Sequence, residues 1–212
     1  MKITLFILLV STLIYSKTLE FTKEDIEIIK NNPNKSAILK RIQNYNKLNK
    51  KITNYSDYRK LSHINTFFNK ILPQHDNQKY GISDYWSTRK EFLIDGRGDC
   101  EDYVIAKYFS LIESGFEKEN LFLAVVKVKG EISDHMVLLY FKNKESIPYV
   151  LDNLSFKVLP LNRRPKLEVK FIFNEKESFI MDNYKISKKV NIDWGKENKW
   201  ENLLTRVYKN KE

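Results

Sequence analysis

The chain has 212 residues, 42% of them apolar and 13% aromatic, which suits one well-cored domain and excludes a disordered chain. Its formal net charge of +10 suits an acidic partner, whether nucleic acid, anionic membrane surface or acidic protein. The basic residues are spread from Lys35 to Lys189 without a DNA- or RNA-binding signature, so no nucleic acid is expected, and a single cysteine excludes an intramolecular disulfide.

Met1 to Ser16 place one positive charge ahead of an apolar stretch too short to span a bilayer comfortably. This reads as a cleaved secretory signal (1–16) with processing near Ser16 or Lys17, leaving no stable membrane span. Ile14-Tyr15-Ser16 lacks a small residue at its first position, so an uncleaved anchor is the alternative. Either way the domain is exported, and a lone thiol in an oxidising compartment is either buried or used.

An N-terminal helical region is expected over 17–60. Thr22 and Asp25 have capping-box spacing before Ile26-Glu27-Ile28-Ile29, and Pro33 ends that helix. A second helix from about Ser36 carries Ile38, Leu39, Ile42, Tyr45 and Leu48 on one face, a packing stripe. The main domain, 61–212, continues helix to Ile71, then a polar loop from Pro73 to Gly81 that holds His75. Thr88 and Glu91 again have capping-box spacing, for a short helix stopping by Asp95-Gly96.

A buried central helix follows from about Cys100 to Ser114, with Gly115 as its stop, because Tyr103 to Ile112 is apolar on nearly every side. Beyond it the period shortens. Leu121 to Val128 and His135 to Phe141 are strand-like and joined by a turn at Lys129-Gly130-Glu131; Tyr149 to Leu151, Lys166 to Phe173 and Ser178 to Met181 supply further strands. Helices followed by strands predict an α+β fold with an antiparallel sheet packed on the cysteine helix.

Cys100 stands where the turn Gly96-Arg97-Gly98-Asp99 gives way to that helix. Unpaired backbone N–H groups and the positive end of the macrodipole both favour a thiolate there. The bland alternative is a small buried hydrophobe. A nucleophilic thiol needs a base, and only His63, His75 and His135 exist. His63 falls in a helix and His75 in a polar loop, whereas His135 opens a strand and can project from the rim of a core. Asp152 ends the strand expected beside it and suits a group that orients the imidazole, although Asp152-Asn153 is also an ordinary turn pair.

Asp84-Tyr85-Trp86, Gly98-Asp99-Cys100-Glu101-Asp102-Tyr103, Ala106-Lys107-Tyr108, His135-Met136-Val137-Leu138 and Val150-Leu151-Asp152-Asn153-Leu154 together resemble the bacterial transglutaminase-like cysteine proteinases of the LapG type, over about Asn65 to Phe173. The resemblance implies a papain/transglutaminase-like α+β core acting in the periplasm, with Cys100 the nucleophile, His135 the base and Asp152 the orienting acid. It further implies that Asp99, Glu101 and Asp102 bind Ca2+; acids in a first helical turn also simply suit the macrodipole. Three carboxylates beside a thiolate raise its pKa, and a divalent cation offsets them. One departure is Arg89, where the family commonly has proline.

The activity implied is calcium-dependent cleavage of the N-terminal region of a large surface adhesin, releasing it and dispersing biofilm, with an inner-membrane cyclic di-GMP receptor of the LapD type sequestering the protease. The same three residues also suit transglutaminase or amidase chemistry, and a non-catalytic calcium- or peptide-binding module is the remaining alternative. An oxyanion hole is expected from the Cys100 N–H, with a second donor from Tyr85-Trp86 or, equally, Trp86 in the core.

Overall fold

Thr22 closes a capping box, its hydroxyl accepting the Asp25 N–H at 3.1 Å while Asp25 Oδ2 accepts the Thr22 N–H at 2.7 Å, and so starts α1 (Lys23–Asn31). The computed structural model describes residues 19–74 and 85–209; the expected signal segment, His75 and Asp84 lie outside them. Next comes α2 (Lys35–Ile52), which buries Ile38, Ile42, Tyr45, Leu48 and Ile52. Leu39, expected on that stripe, is 48% exposed, because it lies one helical step off the face.

The third helix, α3 (Asp57–Phe68), stops short of the expected Ile71. Pro73 favours extended backbone at Leu72, and Leu72–Pro73 form β1. A second closed capping box, Thr88 with Glu91, starts α4 (Arg89–Asp95), which ends at Gly96 with φ +69°. The Arg41 guanidinium fills the space beside Gly96, donating to the Leu93 carbonyl at 2.8 Å; a Cβ on Gly96 would stand 1.9 Å from its Nη2. β2 (Arg97–Gly98) pairs parallel with β1. It leads into α5 (Cys100–Glu113), buried at every position from Asp102 to Leu111.

The sheet then builds antiparallel throughout from β3 (Leu121–Val128), β4 (Asp134–Tyr140), β5 (Tyr149–Asp152), β6 (Ser155–Pro160), β7 (Leu167–Phe173), β8 (Ser178–Asp182) and β9 (Lys185–Lys189). Its order is β6-β5-β4-β3-β7-β8-β9. Leu121 and Leu123 of β3 join Met136, Leu138 and Tyr140 of β4 in the core shared with the helices. Their alternates Phe122, Ala124, Val126, Val137 and Leu139 form a second cluster on the opposite face. Covering both faces explains why β3 and β4 read as continuous apolar runs. The β8–β9 turn holds both Asn183 (φ +46°) and Tyr184 (φ +65°) in left-handed backbone. Glycine suits such a turn, and tyrosine there costs about 1 kcal/mol.

The last helix, α6 (Lys199–Lys209), seats Trp200, Leu203 and Val207 in the core. Trp86 lies in an aromatic cluster with Phe173, Trp194 and Trp200, so its ring serves packing. Arg206 fastens α6 to α4 and to the segment before it, bonding Glu91 Oε2 at 2.7 Å, the Tyr85 hydroxyl and the Trp86 carbonyl.

Arg89, the departure from the family's proline, is a buried tie between helices. Its side chain is 3% exposed, pairs with Glu113 Oε2 at 2.6 Å and donates to the Tyr45 hydroxyl at 2.8 Å, joining α4, α5 and α2. Burial pushes the Tyr45 phenol up to about 12, so it stays a neutral donor to Glu113. Arg89→Ala leaves the Glu113 carboxylate buried without its cation and should lower stability by about 3–5 kcal/mol in urea unfolding. Adding Glu113→Gln should recover more than half of that loss; strictly additive effects would show that the pair carries no coupling.

Candidate active site

Gly98 lets the chain turn tightly into α5, since a Cβ there would stand 2.2 Å from Asp102 Oδ2 and 2.8 Å from the Phe92 ring. Asp99 then caps α5 by position only, making no side-chain cap bond; its carboxyl meets that of Glu101 instead. Asp102 is fully buried and accepts the Ser87 N–H at 2.8 Å, bracing the first turn of α5 against the segment before α4.

Cys100, partly buried, is the first residue of α5, and its thiol donates to Glu101 Oε2 at 2.9 Å. Burial, then the Glu101 charge and that bond, push the thiol far above its ordinary range, against a smaller lowering by the Met136 backbone N–H; Asp99 adds to the rise. The activation expected from the helix terminus is therefore overridden by the neighbouring acids and by desolvation. Glu101 is itself raised, by burial first and then by the Asp102 charge, while bonds from Cys100, its own N–H and Asp99 oppose.

The bond from Met136 also places β4 against the sulfur, and Met136 follows His135. The imidazole is 10% exposed, and its Nε2 lies 2.9 Å from Asp152 Oδ1 on the neighbouring strand β5. Asp152 is fully buried. Burial alone raises its carboxyl, yet bonds from His135, the Leu154 N–H and Arg164 outweigh it and hold the group at about 2. A carboxylate only accepts, so Nε2 carries the hydrogen and Nδ1 is the basic nitrogen of the neutral ring. The sequence-predicted base and acid are thus brought together, and the peptide unit after the base contacts the predicted nucleophile. His63 packs on the Tyr55 ring and takes no part.

Four supporting residues escaped the sequence reading. Arg164 Nη2 pairs with Asp152 Oδ2. Asn69, at the end of α3, donates to the carbonyls of Asp152 (2.8 Å) and Ser155 (2.9 Å), and Asn65 one turn earlier donates to Ser155 at 2.8 Å, so α3 grips the backbone of the turn that carries Asp152. Lys107, two turns along α5 from Cys100, is fully buried with no bond to its Nζ; burial pulls it down to about 7 while the Asp152 charge opposes. A lone lysine inside an otherwise apolar helix was the visible signal for Lys107. Asn69 and Arg164 stand in ordinary polar settings and gave none.

The carboxylates of Asp99, Glu101 and Asp102 are hard oxygen donors of the class calcium takes, and although burial is the main cause of the raised Glu101, the smaller contribution from the Asp102 charge is one a cation relieves. Their chemistry fits the ion, although among the described residues no group of three or more acid, histidine or cysteine side chains is already arranged to hold a metal. Among those residues, too, no helix is long and apolar enough to cross a membrane.

Comparison with known proteins bears on the fold and the family. A search of curated proteins finds no match. Among solved structures, EGTA-treated LapG of Legionella pneumophila superposes with a TM-score of 0.72 at 27% identity, covering 90% of this chain and 99% of that one. The calcium-bound form of that protein gives 0.69 at 27% identity, covering 87% and 97%, and a third LapG structure gives 0.70 at 28%, covering 89% and 97%. Residues 30–178 match the family model of the bacterial transglutaminase-like cysteine proteinases, a span that takes in α2 as well as α5 and strands β3 to β7, and the chain belongs to that family.

Proposed function

We propose that the chain is a calcium-dependent cysteine endopeptidase of the periplasm that cuts the N-terminal region of a large surface adhesin, releasing it and dispersing biofilm. The observation that carries the reading is the 2.9 Å contact between His135 Nε2 and a buried, ionised Asp152, beside a strand that touches the Cys100 sulfur. In this reading Cys100 gives its proton to His135 Nδ1 and the sulfur attacks the peptide carbonyl carbon. The imidazolium, stabilised by Asp152, then protonates the leaving amine as the C–N bond breaks. Water, losing a proton to the same nitrogen, attacks the thioester, and the thiol is regenerated.

The Cys100 N–H, at the start of α5, is the donor this reading assigns to the developing oxyanion. Asp99, Glu101 and Asp102 are the residues that would hold calcium, which supplies positive charge beside the thiol when bound. Relatedness to a protein solved both with calcium and after EGTA treatment supports a role for calcium. A periplasm-facing cyclic di-GMP receptor of the LapD type is the inhibitory partner proposed.

Wild-type and Cys100→Ala protein, each with calcium or with EGTA, should be incubated with N-terminal adhesin fragments encoded in the same genome. Cleavage is expected only from wild type with calcium. Cleavage that survives in Cys100→Ala overturns the nucleophile, activity undiminished in EGTA removes the metal, and cross-linked product with added amine indicates transfer instead.

A further inference from the structure

On the side of the sheet away from α5, two adjoining cavities of about 580 and 480 Å3 share Val128, Pro165, Lys166 and Leu167 as lining. One reaches Asp152 and Leu154; the other runs out to Asn183 and Tyr184 at the β8–β9 turn. They form one groove that leads away from the proposed catalytic acid. Its floor is apolar, with Val128, Leu167, Val169 and Met181 partly buried on the second core cluster.

Lys129, Arg163 and Lys166 stand exposed along the rim, against Glu131 and Glu168. Arg164 is committed to Asp152, and Lys127 to the Ile132 carbonyl. The wall is pinned, since the Lys129 N–H donates to the Lys166 carbonyl at 2.8 Å and the Leu167 N–H to the Arg164 carbonyl at 2.9 Å. At the far end the turn places a half-exposed tyrosine ring where backbone geometry favours glycine. Leu154, 67% exposed, lines the near end.

From this charge and apolar pattern we infer that the groove binds an extended segment of the protein substrate in which carboxylate side chains alternate with apolar ones. The carboxylates face Lys129, Arg163 and Lys166; the apolar side chains lie on the floor between Leu154 and Tyr184. The inference rests on the endopeptidase reading for its word "substrate", and the binding itself does not require cleavage.

The test uses the full chain carrying Cys100→Ala and a labelled peptide alternating glutamate and leucine, with a twin that has lysine for glutamate, followed by fluorescence anisotropy. The glutamate peptide should bind, weaken with salt, and lose about tenfold in affinity when Lys129→Glu and Lys166→Glu are added, while the lysine twin gains. Tyr184→Gly should weaken the glutamate peptide about fivefold without lowering the melting temperature. That combination separates a lost contact from a damaged fold. Equal binding of the two peptides, affinity unmoved by these substitutions, or no binding at millimolar peptide each overturns the groove. If the groove fails while wild type still cuts adhesin fragments, the endopeptidase reading stands; if the peptide binds as expected and wild type cuts nothing, that reading falls alone.

Discussion

Asp152→Asn should slow peptide cleavage by about 10^3- to 10^4-fold, and Asp152→Ala should in addition destabilise the fold by about 3–5 kcal/mol. The asparagine carbonyl still accepts from His135 Nε2, so the ring keeps a partner at 2.9 Å, but no charge remains to stabilise the imidazolium. Alanine also removes the partner of Arg164, whose side chain is 16% exposed, and the acceptor of the Leu154 N–H. The effect on stability carries its own pH signature. Asp152 is depressed from 3.8 to about 2 in the fold, so its contribution is complete above pH 3.8 and vanishes as pH falls through about 2. That contribution is on the order of 2 kcal/mol. Urea midpoints of wild type and Asp152→Asn should therefore differ at pH 6 and converge below pH 2. Parallel curves across that range would mean the carboxylate is not held by its neighbours.

Calcium should speed alkylation of Cys100 by iodoacetamide at pH 7.5 by about 100-fold over the protein in EGTA, and Glu101→Gln should recover much of that rate without the metal. The readout is unambiguous because the chain has one thiol. Burial and the Glu101 charge hold the thiol up, and each unit by which its pKa exceeds the pH cuts the thiolate fraction tenfold. Neutralising Glu101 removes the nearest charge while leaving an oxygen to accept the 2.9 Å bond. Rates indifferent to both calcium and Glu101→Gln would show that acids beside the sulfur do not govern its reactivity.

Where local chemistry decides structure, the sequence was readable. Thr22 with Asp25 and Thr88 with Glu91 both close as capping boxes, the apolar run after Cys100 becomes the buried helix, and β3 and β4 pair around the expected turn. The edge strands were harder. Ser155–Pro160 and Lys185–Lys189 are largely solvent-facing, so their alternation is weak, and lysines on β9 suit an open edge better than a core. Cys100, His135 and Asp152 could be named because each sits at an element terminus of distinctive composition. The acids that raise the Cys100 thiol were legible too, since Glu101 is its neighbour in sequence, whereas the grip of Asn69 and the pairing of Arg164 with Asp152 were not, because both depend on tertiary placement.

The contact between His135 and Asp152 spans two strands whose alignment is fixed by Leu138 opposite Leu151, Leu139 opposite Val150 and Tyr140 opposite Tyr149. A slip of β5 by one residue would send the Asp152 side chain to the other face while leaving nearly the same amount of strand and a similar collapsed core. The dyad is therefore an internal gauge of alignment. Circular dichroism counts chains that have regained their sheet, whereas recovered cleavage counts only those that have regained it in the correct frame.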